Sequence, residues 1–259
     1  MKKIIIFILL ISIMVSLSGC LKPSDPFQEI GGDGVYFRAA YPGDGYGLYK
    51  IDDFERSINE TTIIVPDNVN GNDLRLLGGK GFMLKMQFYL ECSKTERIYL
   101  PWSIFARGEF AQFDYSEKLR YVILCSNHSL VTDFEPIKNE GSAYVITNYY
   151  YEKALGKGNS YLENQMRRHY LPANIAFLFN HAGNPNEGYF FIDLIEESGK
   201  IMKPPYDPRR EGFIFQGWYK DAECTEAWNF ETDEITIQFD EQGNHIYEEI
   251  RLYAKWTVK

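Results

Sequence analysis

Two segments of this chain superimpose at a fixed spacing, and that recurrence constrains the fold more than any other feature. CSKTERIYLP, from Cys92 to Pro101, and SEKLRYVIL, from Ser116 to Leu124, align with Ile98 on Val122 and Leu100 on Leu124, a shift of 24 residues. Upstream, TIIVPDNVNG, from Thr62 to Gly71, has the strand-then-proline form of RIYLP, with Ile63 and Val65 at the inward positions. Each copy reads as a short strand, a proline-led turn, then a glycine and a phenylalanine: Gly78 with Phe82, and Gly108 with Phe110 or Phe113. Units this short cannot bury an apolar face alone, so neighbouring copies must stack and something must cap both ends.

With Ile63/Val65, Ile98/Leu100 and Val122/Leu124 facing inward, a side-chain period of two sends Thr62/Ile64, Arg97/Tyr99 and Tyr121/Ile123 outward in register. Apolar, aromatic and arginine side chains at solvent-facing positions mark a contact surface. The expectation is that Ile64, Arg97, Tyr99, Tyr121 and Ile123 contribute to capture of a partner. The competing expectation is that the second domain or a cap covers this ladder.

The pattern resembles the BspA-like leucine-rich repeats of bacterial surface proteins. IVPDNVNGNDLRLLGGKGF is similar to their first unit and LPWSIFARGEFAQFDYSEKLRYVIL to a full repeat, over roughly Asp33 to Lys153. Cys92 falls at the loop cysteine of such repeats, where a thiol packs as a small hydrophobe. DGVYFRAAYPGDGYGLYKID alternates around an Asp44-Gly45 turn and predicts a hairpin as the N-terminal cap. AYVITNYYYEKALGKG predicts a strand and a short helical stretch at the other end. Ser160 and Glu163 form a capping box for a connecting helix that stops near Pro172.

From Ala173 onward the pattern changes to a compact β-rich unit. NIAFLFN and GYFFID, separated by the turn-rich HAGNPNEG, predict a hairpin. REGFIFQGWYKDAECTEAWNF then spends six aromatic positions and two glycines within 21 residues. In extended chain Phe213, Phe215, Gly217 and Tyr219 share one face and Ile214, Gln216 and Trp218 the other, so the strand is expected to be covered on both sides. Gly217 is expected to leave space for a neighbouring ring or backbone. Trp228, Phe230, Leu252, Tyr253 and Trp256 are available as cover. PRREGFIFQGWYKD, WNFETD and RLYAKW resemble, in order and spacing, the Listeria-Bacteroides repeat of internalin-type surface proteins, with an added acidic insertion, IQFDEQGNHIYEE. The resemblance implies a small β-grasp-like domain and a cell-surface, adhesive setting. It brings no catalytic residues. A rival use of Trp218, Tyr219 and Trp228 is a carbohydrate-stacking platform, which requires at least two of these rings to be coplanar and exposed.

The N-terminus adds a location. Lys2 and Lys3 precede an uncharged apolar run from Ile4 to Leu17, the shape of an export signal and short for a permanent span. Leu17-Ser18-Gly19-Cys20 resembles the lipobox of bacterial lipoproteins, which implies Cys20 as the lipidated mature N-terminus and membrane attachment through that lipid. Loss of residues 1–19 leaves 25 basic against 36 acidic side chains, a balance that repels nucleic acid. Cys92, Cys125 and Cys224 remain, an odd and widely spaced set that implies neither a disulfide framework nor a zinc site.

No catalytic grouping emerges. His128, His169, His181 and His245 lack HExxH or paired spacing, no strand-to-helix frame surrounds GGDGVYF or GDGYG, and no G-x-S-x-G elbow is present. Glu196-Glu197 and Glu248-Glu249, being adjacent, point to opposite faces in extended chain. The sequence therefore predicts a mainly β protein with some α, a short leucine-rich-repeat solenoid followed by a small β-grasp-like domain. Its expected organisation is a signal peptide (1–19), a tether (20–32), the repeat region with caps (33–156), a helical connector (157–172) and the C-terminal domain (173–259). The expected role is non-enzymatic recognition or adhesion at the bacterial cell surface, with no cofactor and no metal, toward an extracellular protein or glycan. The alternative is a carbohydrate or cell-wall polymer binder acting through exposed aromatics.

Overall fold

The repeated segments lie side by side as strands of one parallel sheet. The computed structural model describes residues 35–39, 46–52, 61–69, 71–77, 79–80, 85–86, 88–91, 93–104, 106–107, 111–112, 118–126, 144–148 and 170–259 apart from 247. In chain order, β1 (Val35–Ala39) and β2 (Tyr46–Asp52) form an antiparallel hairpin, with Ala39 opposite Tyr46, at the place the Asp44-Gly45 signal predicts. β3 (Thr62–Ile64) follows, then the antiparallel pair β4 (Asn68–Val69) and β5 (Asn72–Leu77), and the pair β6 (Gly79–Lys80) and β7 (Lys85–Met86). Next come β8 (Phe88–Glu91), β9 (Arg97–Leu100), β10 (Ala106–Arg107), β11 (Ala111–Gln112), β12 (Tyr121–Leu124), β13 (Tyr144–Ile146) and β14 (Tyr170–Leu171). The C-terminal part supplies β15 (Ile175–Leu178), β16 (Tyr189–Asp193), β17 (Phe213–Tyr219), β18 (Gln238–Phe239), β19 (His245–Ile246) and β20 (Ile250–Val258).

Five strands form the parallel sheet in the order β14-β13-β12-β9-β3. Ile98 pairs with Val122 and Leu100 with Leu124, the alignment read from the 24-residue shift, while Ile63 joins Ile98 from the upstream copy. The inward positions are closed: Ile63 and Val65 are wholly buried, and Ile98, Leu100, Val122 and Leu124 nearly so. A second sheet, β10-β5-β2-β8-β11, is parallel along its whole path, and β1 and β4 add to it antiparallel. The helical stretch expected before Gly156 and the connecting helix after Ser160 fall outside the described residues.

The C-terminal sheet is mixed, with order β16-β15-β20-β17. β15 and β16 make the predicted hairpin, Ile175 opposite Asp193. Its loop carries left-handed residues at Asn180, Gly183, Asn186 and Glu187, which explains the density of Asn and Gly in HAGNPNEG. β15 and β20, the first and last strands, lie together and parallel at the centre. Phe177, Phe190, Phe191 and Leu252 are at most 1% exposed. Trp218 meets Phe177 edge-on at 4.9 Å and stacks on Phe190 at 5.7 Å.

β17 departs from its expected surroundings. It is an edge strand, and Ile214 is 46% exposed, so the strand is not covered on both faces. The cause is a bulge: Phe215 opposes Trp256 and Gly217 opposes Lys255, so one extra residue enters between them. The slip reverses parity and turns Trp218 into the core beside Phe215, 5.1 Å ring to ring, instead of onto the opposite face. Gly217 does not make room for a neighbour either, because a Cβ there would meet nothing within 4 Å. Its backbone at φ +125° is what requires glycine. Gly217→Ala is therefore expected to destabilise the protein by about 1–3 kcal/mol through backbone strain alone, measured by urea denaturation. A neutral result would contradict the strained bulge.

Candidate recognition surface

The five residues expected to form an outward ladder occupy one sheet face, but that face is covered. Tyr99 is 3% exposed, Tyr121 5% and Ile123 wholly buried, and Ile64 packs against the same cluster. The second of the two expectations for this ladder describes the geometry: the C-terminal sheet lies over it. Tyr99 stacks on Phe191 at 5.2 Å with ring planes 12° apart, worth about 0.5–1.5 kcal/mol beyond the area buried. One hydrophobic cluster runs from Tyr99, Ile123, Cys125 and Ile146 into Phe177, Phe191 and Trp218. The physical reason is the composition of the strands. RIYL and YVIL are apolar at both parities, and a sheet apolar on both faces needs cover on both.

Two acid–arginine pairs cross this seam in opposite senses. Asp193, at the end of β16, accepts at Oδ1 from Arg97 Nη1 (3.0 Å), Tyr99 Oη (2.8 Å) and its neighbouring amide, Leu194 N (2.8 Å). Arg97 also donates to Leu194 O at 3.0 Å and lies 4.8 Å from the Tyr121 ring. Conversely Asp67, from the repeat region, accepts Arg209 Nη2 at 2.9 Å and Trp102 Nε1 at 3.2 Å. Around them Tyr121 Oη donates to Glu196 at 2.7 Å, Asn186 Nδ2 to Cys125 O at 2.6 Å and Asn148 Nδ2 to Glu249 at 2.5 Å.

Burial pushes the Asp193 and Asp67 carboxyls above the usual carboxylate range, against the opposing pull of their hydrogen bonds and arginines. Burial likewise raises Tyr99, and moves Tyr121 and Cys125 each to about 12. Cys125 is thus a packed, inert thiol, while Cys224 is half-buried; both are free. Trp218, at 2% exposure, is removed from any sugar-stacking platform with Tyr219 and Trp228. His181 lies edge-on to Phe179 and Trp256; His128, His169, Cys20 and Cys92 lie outside the described residues. Among the described residues no three His, Cys, Asp or Glu side chains are grouped to hold a metal, and no helix is long and apolar enough to cross a membrane.

Among the described residues, the outer side of β17 and β20 stays open, with Ile214 and Val258 exposed. Register places Ile214 beside Thr257, Gly217 beside Lys255 and Tyr219 beside Tyr253. Lys255 Nζ sits 4.6 Å from the Tyr219 ring centre, and Gln216 Nε2 donates to Thr257 Oγ1 at 3.0 Å. Sequence reasoning missed both seam pairs. The available signal was Asp193, which shares the inward parity of Phe191 in GYFFID and so needed a cation.

Residues 179–255, which include β17 and the first six residues of β20, match the family model for the Listeria-Bacteroides repeat domain. Two proteins of Evansella cellulosilytica are similar to it over 73 residues. One, described as "Putative membrane protein", is 37% identical across 28% of this chain and 9% of its own length. The other, described as "Putative Gly-rich membrane protein", is 36% identical across 28% of this chain and 7% of its own length. The chain therefore spans less than a tenth of these curated relatives. Membrane-protein relatives and a surface-type repeat are consistent with a cell-surface protein.

Two outcomes follow from the seam. Arg97→Ala leaves Asp193 buried without its cation and is expected to cost about 3–5 kcal/mol in denaturant unfolding. Because the folded pKa of Asp193 is raised, its contribution is greatest below the unfolded carboxylate pKa and fades as pH rises through the folded value. On acidification from neutral pH the native chain should gain stability relative to Asp193→Asn. A relative loss would contradict the burial assigned to that carboxyl.

Proposed function

We propose that this protein is a lipid-anchored recognition protein of the bacterial cell surface, with a short leucine-rich-repeat solenoid backing a β-grasp-like repeat domain. The observation that carries the reading is the Listeria-Bacteroides match over residues 179–255, a domain associated with surface and adhesive proteins. The register of β3, β9 and β12 supports stacked repeats. The mixed order, with first and last strands parallel at the centre, supports a β-grasp-like fold. We take the role as non-enzymatic, a reading supported by the seam, where Asp193 and Asp67 are buried and bonded to Arg97, Tyr99, Arg209 and Trp102. Lipid on Cys20 anchors the chain, and the C-terminal domain meets an extracellular ligand.

Cys20→Ala should abolish incorporation of labelled fatty acid and move the protein from the membrane fraction to the soluble fraction. Intact cells carrying the native chain should lose it to added protease. A native chain that takes up no label, or that resists protease on intact cells, would remove the anchored surface reading.

A further inference from the structure

The edge of β17 is open over a short, well-defined stretch. Lys259 N donates to Gly212 O at 3.0 Å, so Gly212 and Lys259 form a hydrogen-bonded pair with β20. Antiparallel alternation makes Ile214 and Thr257 the next such pair, and turns the peptide groups of Phe213 and Phe215 away from β20. Phe213 N is used locally, donating to Arg210 O at 3.1 Å. Phe213 O, Phe215 N and Phe215 O face outward with no backbone partner among the described residues. Farther along, the chain caps itself: Trp228 N donates to Trp218 O at 2.8 Å and Lys220 N to Glu226 O at 2.9 Å. The opposite edge strand, β16, is engaged at the seam through Phe191 and Asp193.

Exposed edges are ordinarily guarded by lysine, proline, an inward charge or a bulge; FIFQG has no charge or proline, and its bulge at Gln216 leaves Phe213 to Phe215 regular. Charge instead gathers at its two ends. Arg210 and Lys259 stand at the Gly212 end and Lys255 opposite Gly217, and none has a carboxylate partner among the described residues. In a chain with 36 acidic and 27 basic side chains, three cations near one open strand with no carboxylate partner among the described residues, Arg210 resting on the Phe213 ring and Lys255 on the Tyr219 ring, favour an anionic occupant. Antiparallel pairing with a second copy is opposed, since it would bring Arg210 and Lys259 of one chain to Lys255 of the other.

We propose that the Phe213–Gly217 edge is a strand-addition site for an extended, acidic segment of a partner polypeptide. The segment hydrogen-bonds Phe213 O and Phe215 N and O, sets acidic side chains beside Arg210, Lys259 and Lys255, and lays an apolar one against Ile214. This names the partner class for the recognition reading above and rests on it.

The test selects a randomised dodecapeptide library against the full-length chain. Enriched peptides should be acidic and rich in β-branched residues, should bind about tenfold more weakly to the Arg210→Glu, Lys259→Glu double variant, and should weaken as salt is raised. Hydrogen exchange of the Phe215 amide should slow about tenfold on binding. Both substitutions are at exposed or half-exposed side chains and leave the strand unchanged, which circular dichroism checks. Peptides without acidic bias, equal binding to the double variant, or an unprotected Phe215 amide would overturn the proposal. So would self-association that protects Phe215 without peptide. Surface exposure of the chain with charge-independent peptide binding removes the edge alone, whereas a chain absent from the surface removes the wider reading.

Discussion

The burial of one sheet face, Tyr99, Tyr121 and Ile123, beneath β16 is the constraint on which the rest of the structure depends. Repeat strands that are apolar at both parities leave no solvent side, and the C-terminal sheet supplies the missing cover. Once it does so, Asp193 and Asp67 lose water, Asp193 together with most of Arg97, while Arg209 reaches Asp67 from an exposed position. The Arg97–Asp193 and Arg209–Asp67 pairs point in opposite senses across the seam, so each side presents both signs. A largely buried pair such as Arg97–Asp193 contributes little net stability against an apolar equivalent but heavily penalises loss of one partner. The physical effect of Arg97–Asp193 is to fix the end of β16 against β9.

That constraint redirects the search for function. A strand ladder rich in aromatic and arginine side chains has the composition of a binding face, yet here it packs against its own chain. Among the described residues, the outer side and free edge of β17 stay open, within the residues that match the Listeria-Bacteroides repeat. A strand-addition site needs few side chains, because the backbone supplies most of the bonding. Such a site carries no distinctive residue motif and shows itself only through topology.

Much of the fold was legible for definite reasons. The 24-residue shift set the β9–β12 register because stacked repeats admit one alignment of inward residues, Ile98 with Val122 and Leu100 with Leu124. The β15–β16 hairpin was legible because turn residues separate two apolar runs. Long-range facts were not. Period two assigned Trp218 to the wrong face, since a bulge leaves no mark in an alternating pattern beyond a glycine, and Gly217 has several readings. Periodicity shows that Tyr99 and Ile123 lie on the sheet face opposite Ile98 and Val122. It does not say whether water or another sheet lies there. Asp67 and Arg209 are 142 residues apart, and no local pattern links them.

The claim that one cooperative core joins the two sheets is tested most directly by native-state hydrogen exchange under increasing urea. The amides of β12 and of β15 should merge onto a single opening reaction with the same free energy and the same urea dependence. Exchange of β12 through a separate, lower-energy opening while β15 stays protected to the global limit would contradict the shared core.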